Sequence, residues 1–581
     1  MERKKQLNLM REEDRSYLQR LLMESSDSEL SAVDDESEGE EDSLKEQLQN
    51  TDTEQEITSE EESDREDEES GKEFVFGKDK TTKWALQIPV VTVRTRRHNI
   101  VNLNSRVKES ATTAKTVLEC WRCFFTDSLL AIILENTNKF IESQKDRYDR
   151  ERDCKFTDLS ELKAFFGLLY MAGFLRNSKL NTSDLWSTDG TGVEFFRLVM
   201  SRKRFHFILQ SLRFDDKATR SDRKLLDKLA PVREVFDIFV QNCRESYSLG
   251  EYVTIDEMLS KFRGRCAFRQ YIPSKPGKYG IKIFSLADSK TFYTGNLEVY
   301  VGKQPEGPFY VSNSANDVVK RLVRPIAHSG RNITADNWFT SYELVLDLLK
   351  ANLTYVGTVR KNKRQLPPSF TSPVGREPFT TRFGFDRHCT LVSYIPKPRK
   401  NVILISSMHH DSTIDETTGN SNKPEIVTFY NATKSGVDVV DKLCATYSVA
   451  RNTKRWPMTI FYTMLNVAAI NAQVIYLVNN KESSHAILKR RHFIKVLAQE
   501  LTKEHLQKRS HVVNLPRELR KRTLAISEKD KETEHNESST MKPISSTPLE
   551  EQTAENDPLP QFKESLNIEE TEKKEERLFG Y

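Results

Sequence analysis

Apolar residues along this chain repeat with two different periods. Leu162, Phe165, Phe166 and Leu169 fall at i, i+3, i+4 and i+7, the spacing of one helix face. Asp158 and Glu161 precede them in capping-box spacing. Phe205, Ile208, Leu209 and Leu212 repeat the pattern behind Arg202, Lys203 and Arg204. The spacing predicts a helical region over 115–245 with basic helix ends, and order is expected from about residue 115. The texture then changes. Segment 252–255 reads as a strand running into Asp256, and 280–287 and 296–301 as two more. A helix is expected over 317–327, a strand over 332–335 leading into Asp336, a helix over 341–351 and a strand over 354–360. That succession describes a mixed α/β layer. Segments 390–395 and 402–407 flank Lys397-Pro398-Arg399-Lys400 as a hairpin, and 437–447 reads as a helix. Pro457 stands where a first helical residue would be, ahead of a long apolar helix over 458–479. Thr459, Thr463, Asn466, Asn471 and Gln473 would be expensive in lipid, so this helix is expected in a core and not in a membrane.

Charge divides the chain into three parts. The 581 residues carry a net charge of only +3. Residues 1–70 hold 26 acidic and 8 basic side chains, a net of −18, and residues 527–581 hold 15 and 7, a net of −8. The remaining 45 acidic and 74 basic residues give the body a net of +29. A basic body suggests a polyanionic partner, and the two acidic tails bury too little apolar surface to fold. Ser26, Ser28, Ser37 and Ser63 lie ahead of acids, as acidophilic kinases require, although a plain solvating acidic tail is the favoured reading. Seven scattered cysteines argue against a secreted disulfide scaffold, and no signal peptide is expected behind Met1. Cys120 and Cys123 form a lone Cys-x-x-Cys with apolar neighbours and are expected in the core; His409, His410 and Asp411 are expected in a loop. A second basic helical region contains Lys489, Arg490, Arg491, Lys495, Arg517, Arg520, Lys521 and Arg522.

Candidate chemistry lies where strands end in acids. Asp256 and Asp336 each follow an apolar strand, 80 residues apart. Two carboxylates at neighbouring strand ends repel unless a cation lies between them, and hard oxygen ligands suit Mg²⁺ or Mn²⁺. Asp438 and Asp441, at i and i+3 of a helix, share one face and could complete a two-metal site for in-line displacement at phosphorus. Capping or solvated aspartates would look the same on spacing alone. The surroundings favour chemistry. Residues 258–287 contain no acid but hold Lys261, Arg263, Arg265, Arg269, Lys275, Lys278 and Lys282 among Phe262, Phe268, Tyr271 and Tyr279. Arg360, Lys361, Lys363 and Arg364 form a second cluster. Cations with interleaved aromatics suit a nucleic-acid channel.

Segments 254–264 (TIDEMLSKFRG), 271–283 (YIPSKPGKYGIKI), 332–341 (NITADNWFTS), 356–364 (VGTVRKNKR), 391–399 (LVSYIPKPR), 430–443 (YNATKSGVDVVDKL) and 455–458 (RWPM) resemble the piggyBac transposase family, in its order and at its spacing, over about 115–500. The resemblance implies an α/β protein whose RNase H-like catalytic domain carries a β-rich insertion. A mainly helical dimerisation and DNA-binding domain, built from two chain segments, flanks it. The corresponding boundaries are an acidic disordered tail over 1–110, helical parts over 111–250 and 448–526, catalytic parts over 251–360 and 426–447, the insertion over 361–425, and an acidic disordered tail over 527–581. The resemblance places the essential aspartates on Asp256, Asp336 and Asp438, with Asp441 a fourth metal-binding carboxylate. Contacts to DNA fall on Arg360, Lys363 and Trp456, joining Arg263, Arg265, Lys275, Lys278 and Lys282 from the charge pattern. Implied partners are double-stranded DNA (transposon ends and a TTAA target) and a second copy of the chain, in the nucleus and without a membrane. The implied reaction is Mg²⁺-dependent hydrolytic nicking, hairpin formation by the freed 3′-hydroxyl, and joining at TTAA. Such proteins commonly end in a Cys/His-rich zinc module; here the last cysteine is Cys444, and no zinc is expected. A transposase-derived DNA-binding protein without transposition activity stays open as the alternative.

Overall fold

The structure is a computed structural model that describes residues 73–88, 105–177, 180–273, 275–481 and 488–525. The serines read as kinase sites and residues 1–72 and 526–581 of the expected tails lie outside those residues.

Helices gather from both sides of the sheet sequence. Helices α1 (Asp127–Glu142), α2 (Leu159–Phe174), α3 (Arg202–Ser211) and α4 (Arg233–Ser246) precede it. Thr126, Asp158 and Ser201 cap the first three by accepting a backbone N–H three residues on. At α2 only half of the expected capping box forms. The Glu161 carboxylate turns instead to the Thr157 hydroxyl at 2.9 Å and the Arg204 guanidinium at 2.6 Å. α2 is buried on nearly every side. The later helices, α9 (Trp456–Asn479) and α10 (Arg490–Ser510), pack against it: Tyr170 Oη donates to the Leu465 carbonyl at 2.7 Å, and Lys508 Nζ to Ser160 Oγ at 2.8 Å. Phe125, Phe166 and Phe214 converge on Phe461 of α9, with ring centroids 6.1, 5.3 and 4.8 Å away. Among the described residues, α9 is the one helix long and apolar enough to cross a membrane, and it is almost wholly buried within the protein. Its buried asparagines have protein partners. Asn471 brackets the Thr294 backbone with two 2.9 Å hydrogen bonds, and Asn466 Oδ1 accepts from the Val449 N–H at 3.1 Å. Cys120 is fully buried, and burial pushes the Cys123 thiol up to about 11. Arg490, part of the basic helical region expected from sequence, is buried: it reaches Gln473 Oε1 at 3.4 Å and the Leu443 carbonyl at 3.5 Å, and burial pushes it down to about 10.

The strands are β1 (Phe74–Phe76), β2 (Lys83–Ala85), the short antiparallel pair β3 (Arg106–Val107) and β4 (Tyr247–Ser248), then β5 (Tyr252–Lys261), β6 (Gln270–Tyr271), β7 (Tyr279–Asp288), β8 (Thr294–Val299), β9 (Asn332–Ala335), β10 (Thr354–Thr358), β11 (Thr381–Phe385), β12 (Thr390–Lys397) and β13 (Lys400–Ser406). All but β3 and β4 join one mixed sheet, in the order β1-β2-β11-β12-β13-β10-β9-β5-β7-β6, with β8 also paired to β7. β9, which lies in the chain between helices α5 (Ala315–Val323) and α6 (Tyr342–Lys350), runs parallel to both β5 and β10, and β7 runs antiparallel to β5.

In the β-rich segment 361–425, β13 pairs antiparallel with β10, so β11–β13 prolong the same sheet. One expectation changes: order begins earlier than expected, because β1 and β2 lie inside the segment read as a tail and β2 pairs with β11. The aromatic and β-branched run of Phe74, Val75 and Phe76 signals a strand, but it is too short to stand out beside sixty polar residues. The connection between β12 and β13 is the expected hairpin, turning at Arg399 with φ of 62°.

Candidate active site

β5 sets the geometry. Parallel pairing with β9 ends at Ile255 opposite Ala335, so Asp256 and Asp336 are the next residues on the two strands. Asp256 lies within β5, not at its end as the sequence suggested, because β7 pairs with β5 straight through it, Asp256 opposite Ser285. Side chains alternate along a strand, so Thr254, Asp256 and Ser260 share one face. On that face Thr254 Oγ1 donates to the carbonyl of Thr433, the last residue of helix α7 (Glu425–Thr433), at 2.6 Å, and Ser260 Oγ meets Thr463 Oγ1 of α9 at 2.7 Å. The next helix, α8 (Gly436–Thr446), starts hard against the strand: a Cβ on Gly436 would come within 2.6 Å of Thr254 Oγ1. Asp438 therefore sits in the first turn of α8 over β5, and Asp441 follows one turn on.

Asp256 and Asp441 each respond to a neighbouring carboxylate of this set. Burial, then Glu257 and Asp336, hold Asp256 well above the usual carboxylate range, and Asp438 adds to the effect. Burial and then Glu257 push Asp336 up to about 6, against N–H donation from Trp338 at 2.9 Å. Burial raises Asp441 as well, with Lys275 opposing and Asp438 adding. Asp438 is 60% exposed, and Lys275 Nζ stands 3.1 Å from its Oδ1. Burial acts to lower Lys275, but Asp256 and Asp438 together raise it above the ordinary lysine range. Among the described residues no three acidic, histidine or cysteine side chains converge into a ready-made ion cage. The donor set is nonetheless all oxygen and deficient in positive charge, which suits a hard divalent cation.

The cations expected at DNA separate into three groups. Arg263, Arg265 and Lys278 are exposed on the segments around β6, and Arg269 fixes that backbone by donating to the carbonyls of Arg263 at 3.0 Å and Gly264 at 2.7 Å. Trp456, half-buried at the start of α9, meets Phe268 edge-on at 5.0 Å. Arg360 donates Nε to Asn337 Oδ1 at 3.2 Å, beside Asp336, and Lys363 closes the following turn half-buried. Lys282 does not belong with them. Strand alternation turns it to the face opposite Asp256, where it is 3% exposed. Its Nζ lies 3.9 Å from Glu257 Oε2 and over the Phe284 and Trp338 rings at 4.8 and 4.6 Å. It therefore has no path to a phosphate backbone.

Three neighbours of the site escaped the sequence reading. Glu257, an acid inside an apolar strand, carried a visible signal. Asn337 directly follows Asp336. Tyr430 is buried in α7, its phenol raised by burial and, further, by Asp336, Asp256 and Asp438.

A family model described as Transposase IS4 matches residues 116–473. The human piggyBac transposable element-derived protein 3 is 22% identical over 360 residues, which is 59% of this chain and 58% of that protein. The human piggyBac transposable element-derived protein 2 is 21% identical over 378 residues, 62% of each chain. The chain thus spans about three fifths of the length of these curated relatives. Among solved structures, a piggyBac transposase in a synaptic complex with hairpin DNA superposes with a TM-score of 0.68 and 38% identity, covering 73% of this chain and 88% of that one. It shares the mixed α/β architecture described above.

Proposed function

The chain belongs to the Transposase IS4 family, of the piggyBac type, and on that premise we propose that it is a DNA transposase that cuts and rejoins phosphodiester strands at Asp256, Asp336 and Asp438. One observation carries the reading: parallel pairing of β5 with β9 sets Asp256 beside Asp336, and α8 brings Asp438 over the same strand face. The strand sequence β8-β7-β5-β9-β10, with β7 antiparallel to β5, supports an RNase H-like catalytic unit.

The residues have distinct tasks. Asp256 and Asp336, held on the sheet, and Asp438, carried on the helix, would hold Mg²⁺ or Mn²⁺, with Asp441 in support. Such ions, when bound, lower the pKa of attacking water and stabilise charge on the leaving oxygen. Exposed Arg263, Arg265 and Lys278 would bind the phosphate backbone, and Arg360 and Lys363 a second stretch of it. Trp456 presents an aromatic face at the edge of the same region, suited to stacking on an unpaired base. Hairpin excision and joining at TTAA, pairing of two copies and action in the nucleus complete the proposal. The hairpin DNA bound in the structural neighbour supports the DNA part.

A transposon-derived DNA-binding protein that no longer moves DNA is the second reading. It is favoured by the human relatives, both named as transposable element-derived proteins. An excision assay on a donor flanked by TTAA and cognate ends separates the two. The enzyme reading expects excision that falls at least about a thousandfold in Asp256→Ala, some 4 kcal/mol of barrier. Product that persists in that variant, or none from the unmodified chain, sinks it.

A further inference from the structure

The hairpin of β1 and β2 has so far been given no task. It closes around Asp79, whose carboxylate accepts the N–H of Thr81 at 3.0 Å and of Thr82 at 2.9 Å, and the Thr82 hydroxyl at 2.6 Å. It then lies against the loop that follows β10. Lys78 donates its N–H to the Leu366 carbonyl at 3.1 Å, and Asp79 donates its own to the Arg364 carbonyl at 2.9 Å. Trp84 is fully buried, donates its indole N–H to the Gln365 carbonyl at 2.9 Å and meets Tyr342 edge-on at 5.8 Å. Ala85 pairs with Phe385 at the edge of β11. Three successive carbonyls, 364 to 366, are thus held by a segment some 280 residues earlier in the chain. At its other end the loop is tied by Arg360 to Asn337, next to Asp336. Between the two anchors stand Arg360, Lys361, Lys363 and Arg364, their side chains half-buried or exposed. A fixed backbone that carries cationic side chains at or near the surface is preorganised for phosphate, because binding then orders little further.

We propose that residues 73–86 are a clasp that holds the loop of Arg360, Lys361, Lys363 and Arg364 in its DNA-binding shape, with Trp84 as the positioning residue. The clasp deepens the DNA reading above and rests on it. It also extends the DNA-handling unit back to about residue 73.

The test uses the full chain carrying Trp84→Ala, Trp84→Phe or Gly77→Val. A Cβ on Gly77 would come within 2.7 Å of the Gln365 carbonyl oxygen, so valine unseats the clasp without deleting it. Amide hydrogen exchange is read across 359–366, and affinity for a plain DNA duplex is read between about 50 and 200 mM salt. Trp84→Ala and Gly77→Val should speed exchange in the loop while leaving α2 and α9 protected. They should weaken duplex binding threefold to tenfold at the lower salt, with a salt slope shallower by about 2 as phosphate contacts are lost. Trp84→Phe, which keeps the ring packing, should recover most of the affinity. Unchanged exchange or an unchanged slope overturns the clasp, as does loss of protection throughout the helices, which would make Trp84 a general support of the fold. An unmodified chain that binds no duplex defeats the DNA reading instead, and the exchange arm still decides whether the clasp holds the loop.

Discussion

Asp256 and Glu257 are adjacent on one strand and face opposite sides of it, and their surroundings differ in kind. Glu257 is 1% exposed, and among the described residues neither of its carboxylate oxygens has a hydrogen-bond partner. Its charge is met by Lys282 across 3.9 Å, inside a shell of Phe284 and Trp338. Asp256 faces Asp336 and α8, where carboxylates outnumber cations and Lys275 stands among them. The sealed side is balanced and the accessible side is not. Unbalanced charge at a partly open site is a standing demand for a cation, whereas a balanced buried pair only has to keep its place.

That contrast can be broken from the sealed side first. Lys282→Met leaves Glu257 buried and uncompensated and should cost about 3–5 kcal/mol in urea unfolding. Adding Glu257→Gln should recover most of that loss; a single variant as stable as the parent would mean that Glu257 is not charged there. The open side should respond in the opposite direction. Asp336 is pushed from 3.8 up to about 6, so between those values the folded chain holds a proton that the unfolded chain has released. The resulting penalty is absent below about pH 4, grows as pH rises to about 6 and is complete above it. Asp336→Asn removes it and should raise stability by about 1–3 kcal/mol at pH 7 while changing nothing near pH 4. Equal effects at both values would place the strain elsewhere. The smallest expected change belongs to Lys275→Met, which frees Asp438 from its ion pair. Mn²⁺ affinity by calorimetry should tighten about twofold to fivefold, roughly 0.5–1 kcal/mol. Weaker binding would show Lys275 to be an organiser of the site and not a competitor for it.

Much of this arrangement is legible in the chain, because periodicity reports local structure. The pattern of Leu162, Phe165, Phe166 and Leu169 locates α2, and the polar residues of α9 signal the buried position that it occupies. What escaped depends on partners far away. Whether β5 stops at Asp256 is decided by β7, which pairs on to Lys261. Lys282 reads as one more cation in a basic run until strand register turns it inward. The β1–β2 hairpin is too short to build a core of its own and gains its place from a loop hundreds of residues later. The charge run around 258–287 could not say which of its members were buried.

The pairing of early and late helices also sets a timetable. Tyr170 waits for Leu465, 295 residues downstream, and at roughly 5–20 residues per second a ribosome needs about 15–60 s to supply it. For that interval the apolar faces of α2 and its neighbours stand without the helix that covers them. Nascent chains of this protein are therefore expected to depend on chaperones until α9 emerges, and a stop codon before residue 456 should yield aggregate instead of a smaller folded unit.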